Sequence, residues 1–260
     1  MSHTVDEHLV NLAGDLAEAS GEVIRRYFRQ PFDIEQKGDD SPVTIADRGA
    51  EQAIRTVLEK QRPQDGIVGE EYGTERPDAE FVWVIDPIDG TRSFVIGRPV
   101  FGTLISLLKD GSPVLGVIDQ PILGERWIGG DGRPTEFNGE PARVRACTDI
   151  NRAHMATTSP HQFQAADRDT VFSIGEEAAS MVYGDDCYNY AGLASGWIDA
   201  VIEDGLKLHD FAALAPVVTG AGGTITDWGG NPLTAQSSGD VLASGDKSLH
   251  EILIKRLGRA

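Results

Sequence analysis

Apolar side chains near the start of the chain recur every three or four residues. The two series are Val5, Leu9, Leu12, Leu16, Val23 and Tyr27, then Ile45, Ala46, Ala50, Ile54 and Leu58. This spacing places each series on one face of a helix, so we predict two amphipathic helices. The stretch from Thr4 to Glu7 fits a capping box at the start of the first helix. Ser41-Pro42 is expected to begin the second.

The middle of the chain changes to the β-branched and aromatic residues typical of strands. Strands are predicted at 67–68, 81–85, 101–108, 114–118 and 123–129. Pro87 lacks a backbone donor and is expected to end the strand over 81–85. Asp110-Gly111 is a hairpin signal that joins two of these strands.

The pattern alternates between helix and strand towards the C-terminus. Helices are predicted at 187–194, at 210–219 and from a second capping box at Ser248, and strands at 197–202 and 224–228. Charged and turn-rich residues over 140–152 suggest two halves, an N-terminal α/β half over 1–145 and a C-terminal α/β half over 146–260. The mixture predicts an α/β (α+β) fold with antiparallel hairpins as well as helices.

The composition and net charge of the chain restrict the kinds of molecule that it is expected to bind. The chain has 260 residues, 40% of them hydrophobic and 25% charged, as in a globular protein with a sizeable core. The net charge of −18 would repel the phosphates of nucleic acid and of anionic membranes, so we expect neither as a partner. A phosphorylated substrate would therefore need a metal or a local positive site.

Location is predicted from three simpler features. No apolar run approaches the roughly 20 residues of a membrane span. The N-terminus has no basic segment followed by an apolar one, so no secretory signal is expected. The two cysteines, Cys147 and Cys187, are far apart and predict no disulfide framework, which favours a reducing cytoplasm.

Two aspartates follow the buried strand over 81–85 at close spacing. Asp86 lies at the strand end and Asp89 in the turn Asp89-Gly90-Thr91. At about 4 Å, two carboxylates repel by roughly 4 kcal/mol at an effective dielectric of 20, so a positive group must offset them. Oxygen ligands clustered on a loop suit a hard divalent cation. The alternative is an Asx-turn in which Asp89 only caps the backbone.

Three blocks in order carry a resemblance to a known family. They are Glu70-Glu71 after one strand, Asp86-Pro87-Ile88-Asp89-Gly90-Thr91 after the next, and Asp210 before a helix ending in Ala221-Gly222-Gly223. This set resembles the inositol monophosphatase family of magnesium-dependent, lithium-sensitive phosphatases, over residues 37–223. The resemblance implies a five-layer α-β-α-β-α sandwich, a small phosphorylated metabolite as substrate, and a homodimer.

The resemblance also implies the metal ligands. Glu70, Asp86 and the backbone carbonyl of Ile88 would hold one Mg²⁺. Asp86 would bridge to a second Mg²⁺, held also by Asp89 and Asp210. A third metal is possible in this family. Paired metals would neutralise the incoming phosphate.

Further roles implied by the resemblance concern the phosphate and the attacking water. Gly90 and Thr91 would bind phosphate oxygens at a helix start. Thr91 and Asp47, beside the metal ligand Glu70, would orient and deprotonate water for in-line attack without a covalent intermediate. Glu71 would support this arrangement through water.

Simpler interpretations of these residues stay open at this point. Asp47 could merely complement a helix dipole. Asp210 could be only an N-cap. Glu70-Glu71 could be a solvated pair, and Lys37 a surface lysine.

Four local stretches are similar to the histidinol-phosphatase branch of this family, a step of histidine biosynthesis. They are 89–94, 97–104, 116–121 with 125–127, and 184–190. Asp186 and Glu203 would contact the leaving group, where carboxylates favour an ammonium and an imidazole over a neutral polyol. Asp185 and Arg92 are further candidates at the rim. His209, where this branch has Tyr, is a departure from the pattern.

Alternatives remain for these stretches too. Asp185 or Asp186 could cap the helix predicted from Cys187, and Tyr188 and Tyr190 are predicted to pack in the core. The leading hypothesis is a cytoplasmic Mg²⁺-dependent histidinol-phosphate phosphatase. The others are an inositol-1-phosphate or broader sugar-phosphate phosphatase, and a non-catalytic relative that binds phosphorylated ligands.

Overall fold

The structure is a computed structural model that describes residues 4–30, 34–36 and 42–258. Lys37 lies outside these residues, as does Ser41, the first residue of the predicted helix start Ser41-Pro42. Within the described part, the helices are α1 Glu7–Tyr27, α2 Ile45–Gln61, α3 Thr91–Val95, α4 Ala165–Glu177, α5 Tyr188–Ala194, α6 Leu208–Phe211, α7 Leu214–Gly220 and α8 Lys247–Leu257. None of these helices has the length and apolar character needed to cross a bilayer.

Strands of the described residues form three sheets. Their bounds are β1 Ile34–Gln36, β2 Pro42–Thr44, β3 Gly66–Gly69, β4 Gly73–Glu75, β5 Phe81–Asp89, β6 Gly102–Lys109, β7 Ser112–Gln120, β8 Glu125–Gly130, β9 Arg133–Phe137, β10 Glu140–Pro141, β11 His154–Thr157, β12 Ser180–Tyr183, β13 Ala200–Glu203, β14 Thr224–Thr226 and β15 Val241–Ser244. The strand orders are β10-β9-β8-β7-β6-β5-β3-β4, β12-β11-β13-β15-β14, and the pair β1-β2.

The helices and the two larger sheets stack in five layers, as the family resemblance predicted. α1 and α2 pack on one face of the eight-stranded sheet, and α6 and α7 on its other face. α5 and α7 also contact the five-stranded sheet, whose far face is covered by α4 and α8. Apolar clusters fill each interface between layers. The predicted α-β-α-β-α sandwich is confirmed, whereas the division of the chain at residue 145 stays a prediction.

Both predicted capping boxes are wrong by two residues. α1 is capped by Asp6, whose carboxylate accepts from the N–H of His8 at 2.9 Å. α8 is capped by Asp246, which accepts from the N–H of Ser248 at 2.8 Å. In each case the N-cap is an aspartate two residues away from the predicted cap, and aspartate is among the preferred N-cap residues.

Two other helix predictions need correction. α2 begins at Ile45, because Pro42–Thr44 pairs antiparallel with Ile34–Gln36 as a strand. The helix predicted over 210–219 is two helices, α6 and α7. Pro216 would clash with the carbonyl four residues earlier inside one continuous helix, but α7 restarts at Leu214, so this proline lies in a first turn.

The strand predictions hold better, with one exception at Pro87. The hairpin of β6 and β7 turns at Asp110-Gly111, where both residues have positive φ, 50° and 79°, as a two-residue hairpin loop requires. Pro87 does not end its strand, because β5 continues to Asp89. β3 pairs with β5 only as far as Ile85, so the missing N–H of Pro87 breaks no ladder on that side.

Candidate metal and phosphate site

A carboxylate lies on each of two parallel strands just beyond the point where their pairing stops, Glu70 after β3 and Asp86 within β5. β3 pairs with β5 in a register that sets Gly69 opposite Ile85. The N–H of Glu70 donates to the carbonyl of Ile85 at 3.2 Å. Glu70 and Asp86 are the next residues of the two strands, so their side chains leave the sheet edge together.

A β-bulge at the end of β5 brings in the next carboxylate. Asp86 lies opposite Leu104 and Asp89 opposite Gly102, so three steps along β5 match two along β6. The carboxylate of Asp89 accepts a hydrogen bond from the N–H of Cys187 at 2.7 Å. The bulge therefore turns Asp89 towards the start of α5.

The last predicted ligand comes from α6. Asp210 is the third residue of this short helix, and its carboxylate accepts from the N–H of Lys207 at 2.7 Å. Lys207, and not Asp210, is the N-cap residue. Asp210 therefore does not act as an N-cap.

Six carboxylates and one imidazole converge at this point. Three groups of ligand atoms each lie within 4.8 Å of one another: Asp86, Asp89 and Asp210; Glu70, Asp86 and His209; and Asp47, Glu70 and Glu71. Asp86 belongs to two groups and Glu70 to two, so the groups form one continuous cluster. The carbonyl of Ile88 is beside it and accepts from the Thr91 hydroxyl at 2.9 Å.

The cluster is electrostatically unfavourable for the protein alone. Burial, followed by repulsion from Glu70, Asp89, Asp210 and Asp47, raises the pKa of Asp86 well above its usual range. Burial likewise raises the pKa of Asp89 and of Asp210. Asp86 Oδ1 is buried and accepts no hydrogen bond from any described residue. Such a group is stabilised by a bound cation.

The donor set fits Mg²⁺. Hard divalent cations take oxygen ligands, and carboxylates of two strands and one helix provide them here. Asp86 belongs to two of the groups of potential ligands, and one of its oxygens has no partner among the described residues.

Gly90 and Thr91 lie between the cluster and a wider groove. Gly90 has φ +85°, and a Cβ there would lie 2.8 Å from Asp186 Oδ2, so only glycine fits. Thr91 is the first residue of α3. Arg92 is exposed and lines the groove, which has a volume of about 610 Å³.

The predicted leaving-group residues lie at different depths. Glu203, at the end of β13, is 1% exposed and accepts from the Thr158 N–H at 2.7 Å and from Gln162. Burial raises the pKa of Glu203 to about 7 and that of Asp186 to about 6. Asp185 instead forms an ion pair with Arg98 at 3.2 Å.

Neither Asp185 nor Asp186 caps α5 with its side chain, so the capping alternative is wrong. Their backbone carbonyls accept instead, from the N–H groups of Tyr188 and Asn189. Both aspartates have positive φ, 77° and 43°, in a tight turn. This turn directs Asp186 towards Gly90.

Sequence reasoning missed a buried residue that holds the Glu70-Glu71 turn. Glu51 on α2 accepts from the N–H of Glu71 at 2.7 Å and of Tyr72 at 3.2 Å, and its charge is paired with Arg55 at 2.8 Å. The sequence does contain a signal for this pair, because Glu51 and Arg55 are four residues apart, next to the apolar position Ala50, and can form an ion pair on one helix face.

The imidazole of His209 lies within the carboxylate cluster, and not merely next to Asp210 in the sequence. Its Nε2 lies 3.4 Å from Asp210 Oδ1 and 3.9 Å from Glu70 Oε1. It is one of the three ligand atoms in the group with Glu70 and Asp86. An imidazole is therefore a further potential ligand in a site otherwise made of oxygens.

The raised pKa values predict how stability changes with pH. A carboxyl whose pKa is raised on folding favours the native state at low pH, and this contribution is lost as pH rises through the folded pKa. For Glu203, raised to about 7, the loss amounts to roughly 3 kcal/mol. We therefore expect the melting temperature of the metal-free protein to fall between pH 5 and pH 8.

Thermal melts at several pH values, with and without 10 mM Mg²⁺, check this expectation. Metal binding requires ionised carboxylates, so Mg²⁺ should raise the melting temperature more at pH 8 than at pH 5. Glu203→Gln should reduce the fall in melting temperature with pH in the metal-free protein. It should not change the rise in melting temperature caused by Mg²⁺. An equal Mg²⁺ response at both pH values would contradict the prediction.

Comparison with known proteins identifies relatives along the whole chain. A model of the inositol monophosphatase family matches residues 6–260. The bifunctional phosphatase IMPL2, chloroplastic, of Arabidopsis thaliana is 48% identical, over 99% of this chain and 77% of that protein. The histidinol-phosphatase of Chlorobaculum parvum is 34% identical, over 96% of each chain.

A solved structure extends this similarity to the fold. The inositol monophosphatase from Zymomonas mobilis superposes with a TM-score of 0.90 and 49% identity, over 98% of this chain and 99% of that one. Proteins named for different substrates are thus similar to this chain, at 34% identity for the histidinol-phosphatase and 49% for the inositol monophosphatase. Similarity alone therefore leaves the leaving group of the substrate open.

Proposed function

Since the chain belongs to the inositol monophosphatase family and is a phosphoric monoester hydrolase, we propose that it hydrolyses L-histidinol phosphate with Mg²⁺ as cofactor. The observation that carries this proposal is the acidic surface next to the carboxylate cluster. Asp186 and Glu203 line one cavity together with the ligand residues Asp89 and Asp210. Carboxylates placed there favour a cationic leaving group over a neutral one.

In this proposal two Mg²⁺ ions are held by five residues. One is bound by Glu70, Asp86 and the carbonyl of Ile88, and the other by Asp86, Asp89 and Asp210. When bound, the metals would neutralise the phosphate and favour ionisation of water. A third ion beside Asp47, Glu70 and Glu71 is compatible with the ligand geometry.

The chain's own groups orient the reactants. Thr91 Oγ1 is fixed by donating to the Ile88 carbonyl, so its lone pairs face away from that bond. We assign Thr91 the orientation of the attacking water and Asp47 the acceptance of its proton. The backbone N–H groups of Gly90 and Thr91 would hold phosphate oxygens on the groove side.

The leaving group is the part that distinguishes substrates. L-Histidinol carries an ammonium and an imidazole, which would meet Asp186 and Glu203 at the cavity. Arg92, on the groove side, would stay near the phosphate, and Asp185 would act at the rim through its ion pair with Arg98. A neutral polyol gains nothing from the two carboxylates beyond hydrogen bonds.

An inositol phosphate is the second candidate substrate. It is favoured by the 49% identity to a structure described as an inositol monophosphatase. The name of the 48% identical plant relative, a bifunctional phosphatase, is compatible with either. A homodimer and a cytoplasmic location remain predictions, the latter in line with the two free cysteines.

Phosphate release tests the choice of substrate. With saturating Mg²⁺, kcat/KM for L-histidinol phosphate should exceed that for myo-inositol 1-phosphate by tenfold or more, about 1.4 kcal/mol in the transition state. Asp186→Asn should reduce this preference towards unity and leave the rate on inositol phosphate within about twofold. Equal or better hydrolysis of inositol phosphate by the unmodified protein would overturn the proposed substrate.

A further inference from the structure

A small cavity adjoins the groove and is separate from the phosphate end of the site. Its volume is about 160 Å³, against about 610 Å³ for the open groove. Both are lined by Asp186 and Asp210, so they are adjacent beside the carboxylate cluster. A substrate whose phosphate occupies the groove can therefore extend its leaving group into the cavity.

Tyr190 on α5 is one of the residues that line this cavity. The residue is 2% exposed, and its hydroxyl has no hydrogen-bond partner among the described residues. A buried polar group without a partner destabilises the folded state. The prediction that Tyr190 packs in the core therefore accounts for the burial of its ring. It does not account for a buried hydroxyl without a hydrogen-bond partner.

The hydroxyl is fixed in place and keeps its proton. Its ring belongs to the apolar cluster between the two larger sheets, so the side chain has little freedom to turn away. Burial and the neighbouring charges of Glu203, Asp89 and Asp210 raise the pKa of Tyr190 well above its usual range. The hydroxyl therefore remains protonated and able to donate a hydrogen bond throughout the physiological pH range.

The cavity walls select the shape of the ligand. Leu206 and Leu214 provide apolar surface, while Glu203 and the Tyr190 hydroxyl provide polar atoms. A flat nitrogen heterocycle has apolar faces and polar atoms only at its edge. A polyol has hydroxyl groups around its whole ring and would leave several of them against leucine side chains, unpaired.

We propose that Tyr190 is a specificity-determining residue whose hydroxyl binds one ring nitrogen of a heterocycle in the leaving group, while Glu203 accepts the N–H of the other. Neutral imidazole has one acceptor nitrogen and one donor N–H, which matches this pair of groups. The inference rests on the proposed function, and it specifies the position of the substrate's ring in the cavity.

Tyr190→Phe removes only the hydroxyl and is the main test. Tyr188→Phe is its matched control, because Tyr188 is on the same helix but bonds Glu125 at 2.6 Å. The substrates are L-histidinol phosphate and L-alaninol phosphate, which shares the amino alcohol but lacks the ring. We expect Tyr190→Phe to lower kcat/KM about tenfold for histidinol phosphate and less than twofold for alaninol phosphate.

Stability and inhibition provide independent measurements. Because the hydroxyl has no partner in the protein, Tyr190→Phe should melt no lower than the unmodified protein. With the unmodified protein, L-histidinol should inhibit at least tenfold more strongly than L-alaninol. Loss of activity on both phosphates alike would indicate a structural role and overturn the inference.

The outcomes separate this inference from the proposed function. If the unmodified protein prefers histidinol phosphate but Tyr190→Phe keeps the full preference over alaninol phosphate, only the role of Tyr190 is wrong. If the unmodified protein prefers inositol phosphate, the proposed substrate fails, and the heterocycle site with it.

Discussion

Replacing Asp86 with asparagine is expected to lower kcat/KM by at least about 10³-fold, about 4 kcal/mol, while raising the stability of the metal-free protein. Asp86 is the residue shared between two groups of potential ligands, so its charge would be lost from both proposed metals at once. Phosphate release at increasing Mg²⁺ measures the first effect.

The gain in stability has a separate cause. Without metal, Asp86 is buried among like charges, and its raised pKa is an energetic cost to the folded state at neutral pH. Asparagine keeps the shape and removes the charge. Each kcal/mol of relief would raise the melting temperature by roughly 2–4 °C in a protein of this size.

Asp119→Asn is the matched control. Asp119 is 3% exposed against 2% for Asp86, and it also has one carboxylate oxygen without a partner among the described residues. Its other oxygen accepts from Arg126 at 2.6 Å, away from the cluster. This control should keep its activity and should not become more stable. Full activity of the Asp86 variant at moderate Mg²⁺ would refute the two-metal assignment.

The residues that could be predicted from sequence are those fixed by short-range geometry. Asp86 and Asp89 follow a strand whose apolar run is unmistakable, and Glu70 follows its parallel neighbour. These carboxylates meet at one sheet edge because the two strands are parallel neighbours in the sheet. The Asp110-Gly111 hairpin was equally local, because positive φ at both positions leaves few alternatives.

Predictions failed where distant contacts decide local structure. Pro87 was expected to end its strand. The parallel neighbour β3 ends at Gly69, opposite Ile85, so no hydrogen bond from the backbone nitrogen of Pro87 is needed on that side. α4 was not predicted, since only Val171 and Ile174 of its residues are buried and the helical period is weak. Its position depends on packing against α8 rather than on its own pattern.

The environment of the leaving-group cavity was beyond sequence reasoning for the same reason. Glu203 was singled out, but its partners Thr158 and Gln162 lie more than 40 residues away in the chain. Tyr190 gave no signal, because a buried tyrosine in an apolar helix is ordinary core. Only the tertiary structure leaves its hydroxyl without a partner.

Asp47→Asn is expected to lower kcat by about 10²- to 10⁴-fold, the usual contribution of a general base. Asp47 lies in the first turn of α2, 1% exposed, and its carboxylate is within 4.8 Å of ligand atoms of Glu70 and Glu71. If it takes a proton from water and binds no metal, half-saturation by Mg²⁺ should change less than threefold. Rates measured across a Mg²⁺ titration give both quantities.

The competing role makes a different prediction for the same variant. If Asp47 binds a third ion with Glu70 and Glu71, the lost rate should return as Mg²⁺ is raised, because weaker binding can be overcome by mass action. Glu71→Gln is the matched comparison, since it removes another member of that group while leaving Asp47 as acceptor. A general base predicts that Asp47→Asn loses rate at every Mg²⁺ concentration and that Glu71→Gln retains most of it. Recovery of the Asp47 variant at high Mg²⁺ would instead assign this carboxylate to the metal, and the proton would need another acceptor.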